Sequence, residues 1–192
     1  MLKLEPNKYY HIYNRGNNRE KLFYSGENYG YFLSKYRQHC FHIFRTYAFC
    51  LMNNHFHLLV SIRSAEEQQK LFETRNLKSK RLRSPSKHLA NFFSSYTQSI
   101  NRQEGRVGSL FQKNFKRREI DTDEYFRRMV IYAHLNPLKH GITIDFKTYP
   151  FSSYYLYLNS EDTFIIRDEV LYQFGGLESF KIAHDEGAAR FS

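Results

Sequence analysis

Apolar and polar positions along this chain alternate in short runs and twice settle into a helical rhythm. Tyr9 to Asn14 reads YYHIYN, aromatic and β-branched in the manner of a strand. Arg15-Gly16-Asn17-Asn18 follows it with turn chemistry. From Asn28 to about His39, Tyr29, Phe32, Leu33 and Tyr36 recur at the spacing of one helical face. Phe44 to Met52 and His55 to Ile62 read as two strands joined at Asn53-Asn54, a pair suited to a tight hairpin because Asn tolerates left-handed backbone angles. Leu89, Phe92, Phe93, Tyr96 and Ile100 mark a helix over His88 to Arg102, and Gly105 and Gly108 break it. Asn114 to Ile120 reads as a short basic strand. Asp121, with Glu124 three residues on, resembles a capping box. The helix it opens is expected to stop near Leu135, since the residue before a proline, here Pro137, resists helical angles.

The first six of these elements run strand, helix, strand, strand, helix, strand. That order is the split βαβ, ferredoxin-like arrangement, so an α+β fold is expected: an antiparallel sheet with helices on one face, and an added C-terminal helix. No internal repeat or low-complexity tract interrupts it, and only Arg75 to Lys87 has the composition of a loop. Residues 1–158 are read as one domain. Residues 159–192 are read as an extension, partly mobile, ending in AHDEGAARFS.

Charge sharpens the picture. The chain of 192 residues carries a formal net charge of +10. Twelve Lys or Arg and a single acid, Glu104, lie between Arg75 and Arg118, a net +11 for that segment. A basic stripe confined to one stretch is the footprint of a phosphate-backbone binder, although a block such as RNLKSKRLRSPSK also suits a solvated loop. No apolar run approaches the roughly 20 residues that cross a bilayer, no signal-peptide core opens the chain, and Pro85 and its neighbouring serines argue against a membrane-surface helix. A cytoplasmic, nucleoid-associated location is therefore expected. Cys40 and Cys50 have neither metal nor redox spacing and read as two ordinary thiols.

Candidate chemistry sits in FCLMNNHFHLLVSI, residues 49 to 62. Alternation along a strand puts His55 and His57 on one face, about 7 Å apart, and Phe56, Leu58, Val60 and Ile62 on the other. Two imidazoles at that spacing can converge on one cation; equally, they can stack or hydrogen-bond to neighbours. A third ligand is available in MVIYAHLNP, where Tyr132 and Asn136 are four apart and share a helical face while His134 points elsewhere. An amide oxygen from Asn136 would give a set of two nitrogens and one oxygen with open positions, suited to Mg²⁺ or Mn²⁺ rather than to a closed zinc site. Tyr132, one turn away, could serve as a nucleophile, or, among sixteen tyrosines, as an ordinary core residue.

NNHFHLLV followed by YAHLNPLKHG resembles the HUH endonucleases and, more closely, the single-tyrosine transposases of small insertion sequences, among them the REP-associated tyrosine transposases. HIYNRGNNREKLF, GSLFQKNFKRREI and YPFSSYYLYL extend the resemblance over Tyr9 to Leu158. It implies His55 and His57 as metal ligands, Tyr132 as nucleophile and Asn136 as third ligand, where related enzymes often carry Gln. It also implies single-stranded or hairpin DNA as partner and a strand-transfer reaction through a 5′-phosphotyrosine linkage. The basic block (Lys78, Lys80, Arg81, Arg83) and Lys113, Lys116, Arg117 and Arg118 would hold DNA strands, and Arg15, Asn17, Asn18 and Arg19 would contact bases or form a plain turn. Some relatives work as homodimers with the tyrosine helix of one copy serving the other, and others as monomers. Two rivals stand beside this reading: a non-catalytic nucleic-acid-binding domain of the same architecture, and a metal-dependent hydrolase that uses activated water.

Overall fold

The computed structural model describes residues 2–74, 84–159 and 163–191. Four strands form one antiparallel sheet: β1 (Tyr9–Arg15), β2 (Phe44–Met52), β3 (His55–Ile62) and β4 (Lys116–Ile120), in the order β2-β3-β1-β4. That is the split βαβ order expected from the sequence. The helices α1 (Gly26–Cys40), α2 (Ala65–Thr74) and α3 (Pro85–Gln103) lie between the strands in the chain, and α4 (Asp123–Lys139), α5 (Tyr154–Leu158), α6 (Arg167–Phe174) and α7 (Leu177–Ala188) follow them.

The sheet is buried on both faces rather than one. Phe56 packs against Phe32 of α1, Phe93 of α3 and Phe111, and Phe92 and Tyr96 complete an aromatic core on that side. Truncating a fully buried ring such as Phe56 or Phe92 typically costs about 3–5 kcal/mol. α4 covers the opposite face, against β2 and β3, and is itself backed by α7. Gly187 permits that last contact: a Cβ there would stand 2.9 Å from Leu135 Cδ1 and 3.0 Å from Ile131 Cγ2.

Several boundaries differ from the sequence expectation. α2 is unannounced by the apolar pattern, yet Ser64 and Glu67 cap it reciprocally: the Ser64 hydroxyl accepts from Glu67 N at 3.2 Å and the Glu67 carboxylate from Ser64 N at 3.1 Å. α3 begins at Pro85, whose absent N–H is no loss in a first helical turn. The N-cap of α4 is Thr122 rather than Asp121, and its hydroxyl accepts from Tyr125 N. α4 does not stop before Pro137 but runs through it to Lys139. Pro137 falls in the last turn, where it forgoes one backbone hydrogen bond and crowds the Ala133 carbonyl, and burial of Leu135, Asn136 and Pro137 offsets that cost.

YPFSSYYLYL packs as a brace. Leu51 N donates to Phe151 O and Ser153 N to Phe49 O, so the segment covers the outer edge of β2, and Ile166 N, further along the chain, extends the cover by donating to Thr46 O. Tyr154 and Tyr157 are fully buried. The segment read as a partly mobile extension carries α6 and α7, and within its AHDEGAARFS end His184 has no exposed surface. Cys40 and Cys50 are free and buried. Among the described residues, no helix is long and apolar enough to cross a membrane.

Candidate active site

The site is built where β1, the β2–β3 hairpin and α4 meet. The two-residue turn Asn53-Asn54 holds its shape without positive φ at either residue. The chain after β1 clasps it instead: Gly16 N donates to Asn54 O at 2.8 Å, and Leu22 N to Asn53 O at 2.8 Å. Gly16 is required at this crossing, because a Cβ would lie 2.0 Å from the Glu20 carbonyl oxygen.

His55 and His57 project from the start of β3 onto the α4 face, with ring centroids 5.4 Å apart. Each has one ring nitrogen engaged by a neighbour. His55 Nδ1 meets Asn54 Oδ1 at 2.7 Å, and because that oxygen only accepts, Nδ1 carries the proton and Nε2 is left bare. His57 Nδ1 meets His11 Nε2 at 2.8 Å, and His57 Nε2 is buried without a partner. Burial lowers the pKa of His55 to about 4, with the charges of His140 and Arg15 adding. His57 falls well below its usual range for the same reason, helped by His11, His55, His140 and Lys139. Both rings are therefore neutral at pH 7, the form that binds metals.

α4 and its C-cap residue present Tyr132, Asn136 and His140 at intervals of four residues along the face that meets these histidines. The Tyr132 ring stands edge-on to His57 at 5.4 Å and to His11 at 6.0 Å. At the other end of the row, the His140 ring is edge-on to His55 at 5.2 Å. Asn136, between them, has no exposed surface; its Nδ2 donates to the Tyr132 carbonyl at 2.6 Å, and its Oδ1 is buried without a partner. The Lys139 ammonium lies over the Tyr132 ring, 5.3 Å from its centroid.

The fold thus brings His55, His57, Tyr132 and the helical turn bearing Asn136 together within one chain. His134 points away, as its spacing implied. Among the described residues, no three His, Cys, Asp or Glu side chains are gathered as an ion-binding set; the unpartnered Asn136 oxygen is a donor atom of another type. Sequence reasoning missed His11 and left Lys139 and His140 unplaced. The signal for His11 was its strand alternation with Tyr9 and Tyr13, but its use depends on the β1–β3 register, which sets His57 opposite Tyr13 and diagonal to His11.

The expected DNA contacts divide. Arg15 ends β1 opposite His55, and Asn17, Asn18 and Arg19 form an exposed turn beside the hairpin. On β4, Lys116 lies opposite Tyr13 and Arg118 opposite His11, so both belong to the histidine face, and both are exposed. Arg117 belongs to the other face. It donates to Ser86 Oγ at 2.9 Å and lies over the Phe115 ring, contacts that tie β4 to α3. Lys113 is exposed in the loop before β4. Lys78, Lys80, Arg81 and Arg83 lie outside the described residues.

No family model matches the chain. A protein of Haemophilus influenzae assigned to the REP-associated tyrosine transposases is 29% identical over 131 residues, covering 68% of this chain and 70% of the relative. Among solved structures, a REP-associated tyrosine transposase bound to a REP hairpin superposes with a TM-score of 0.60 at 15% identity, covering 88% of this chain and 90% of the other. The chain is similar to the REP-associated tyrosine transposases in sequence and in fold. The fold similarity extends past Leu158, the point at which the sequence motifs end.

Proposed function

We propose that this protein is a metal-dependent DNA strand transferase that cleaves and rejoins single-stranded DNA at hairpin-flanked sites through a 5′-phosphotyrosine intermediate. One observation carries the reading: Tyr132, 75 residues beyond His57 in the sequence, stands edge-on to His57 within the same chain. The relatives named above supply the reaction class and the hairpin DNA.

His55 and His57, through their Nε2 atoms, and Asn136 through Oδ1 would hold Mg²⁺ or Mn²⁺. Such an ion, when bound, withdraws charge from a non-bridging phosphate oxygen and helps orient the scissile bond. The rest falls to the side chains. Tyr132 Oη attacks phosphorus and forms the Oη–P bond as the P–O3′ bond breaks; the phenol gives up its proton and the departing 3′-oxygen gains one. Lys139, over the Tyr132 ring, places positive charge where the phenolate develops. Because one phosphodiester replaces another, a 3′-hydroxyl can reverse the step and join strands with no further energy source. Lys116 and Arg118, on the same face, would hold phosphates of the strand that leads to the site, and Tyr13, opposite Lys116, offers a ring for a base to stack on. Tyr132 serving its own chain's histidines makes a monomer sufficient for cleavage.

The test incubates the purified chain with end-labelled hairpin DNA and Mn²⁺ or Mg²⁺, then looks for an adduct that survives denaturation. Wild type is expected to form it, and Tyr132→Phe to form none while still binding DNA. Cleavage that persists in Tyr132→Phe would point to activated water instead. Binding with no cleavage by wild type on any hairpin substrate would leave a plain binding domain.

A further inference from the structure

The histidine face holds one more imidazole than the proposed metal site uses. His11 sits on β1, flanked by β3 and β4, 7% exposed, with its Nε2 2.8 Å from Nδ1 of His57. The rings of His11, Tyr13 and His57 all lie within 29° of parallel, at centroid separations of 4.7 to 5.8 Å, which fixes their planes. The two facing ring nitrogens, 2.8 Å apart, share one proton: one nitrogen donates and the other accepts.

That proton can sit in two places. If His11 donates, His57 must carry its own proton on Nε2, which is buried with no acceptor, and a protonated nitrogen cannot ligate. If His57 donates from Nδ1, its Nε2 keeps a free lone pair.

We propose that His11 is a positioning residue for the cation site: its Nε2 accepts the Nδ1–H of His57 and thereby fixes both the tautomer and the ring plane that leave His57 Nε2 as the ligating atom. The proposal rests on the reading of His57 as a metal ligand. It gives His57 the same kind of support that the Asn54 oxygen gives His55, and outer partners of this kind tune metal affinity roughly 10- to 100-fold. His11 would touch neither metal nor DNA.

Two measurements on the full chain test it. Imidazole ¹⁵N NMR of the metal-free protein is expected to show His57 as the Nδ1–H tautomer in wild type and as the Nε2–H tautomer in His11→Leu. Calorimetric titration with Mn²⁺ alone is expected to show affinity reduced roughly 10- to 100-fold in His11→Leu and largely restored in His11→Gln, whose side-chain oxygen still accepts. Thermal melts without metal identify folded variants, and if His11→Leu does not fold, His11→Asn against His11→Gln gives the same contrast. An Nε2–H tautomer in wild type, wild-type Mn²⁺ affinity in folded His11→Leu, or equal loss in His11→Gln would each overturn the role of His11 alone. Absence of Mn²⁺ and Mg²⁺ binding by wild type would remove the metal reading beneath it.

Discussion

Two of the histidine groups in this molecule lie on opposite sides of α4, and they are finished differently. On the side away from the sheet, His184 Nδ1 can only donate to the Phe180 carbonyl, at 2.7 Å. Its Nε2 is then an acceptor for His134 Nδ1–H at 2.8 Å, and His134 Nε2 in turn accepts the Ser153 hydroxyl at 2.8 Å. Ser153 Oγ also accepts from Phe49 N. Every polar atom in that chain has a partner, and it ties α7, α4 and the β2 brace together. On the sheet side, the group of His11, His57, His55 and His140 ends in an unpartnered His57 Nε2, near a helix that carries an unpartnered Asn136 Oδ1. Buried polar atoms are normally satisfied. The closed group is architecture, and the two unpaired atoms of the open one are those the proposed cation site would use.

Substitutions should separate the two groups. The largest expected effect is on chemistry. His57→Ala and Tyr132→Phe should each reduce covalent adduct formation below detection by denaturing gel, whereas His184→Ala, where folded, should retain it within a few-fold. Stability should respond in the opposite sense: chemical denaturation of His184→Ala is expected to show a loss of about 1–3 kcal/mol, the cost of stranding the His134 donor, with little loss in Tyr132→Phe. pH probes the closed group further. His184 is held down to about 4 by burial, and His134 well below its usual range, against an ordinary value of 6.5. Below pH 6.5 the unfolded chain takes up protons that the folded protein refuses. Their contribution to stability is therefore complete above pH 6.5 and declines as the pH falls toward 4, by about 1.4 kcal/mol per pH unit for each histidine. A His134→Leu/His184→Leu variant should show a correspondingly flatter profile.

Metal probes the open group. Mn²⁺ at 100 times its dissociation constant should stabilise wild type by about 2.7 kcal/mol, visible as a raised melting temperature, and should leave His57→Ala unmoved. The smallest expected effect concerns the edge strand. Lys116→Ala/Arg118→Ala should flatten the dependence of log binding constant on log salt for single-stranded DNA by about 1.4, the share of two phosphate contacts. Arg117→Ala should instead act on stability, because it packs against Ser86 and Phe115.

The sheet order, the histidine hairpin and the tyrosine helix were all legible in the sequence, because each depends on periodicity and on residues close together in the chain. What escaped depended on distant segments. His11 gains its place only once β1 lies beside β3. Pro137 was misread because burial of Leu135 and Asn136 outweighs a local backbone preference. Asn53-Asn54 turns under the clasp of Gly16 and Leu22 rather than by its own dihedral freedom. α2 carried its capping signal in Ser64 and Glu67, which the thin apolar stripe around Phe72 did not reinforce. Alternation along β4 puts Arg117 and Arg118 on opposite faces, and only the pairing of β4 with β1 says which of them joins the histidines.

The row of side chains on α4 contains one phenol, and the sheet it meets belongs to the same polypeptide. On the proposed chemistry, each molecule can therefore keep hold of a single severed terminus at a time. Excising a segment with two boundaries would demand either a pair of molecules working in concert or one molecule that completes a ligation before it cuts again.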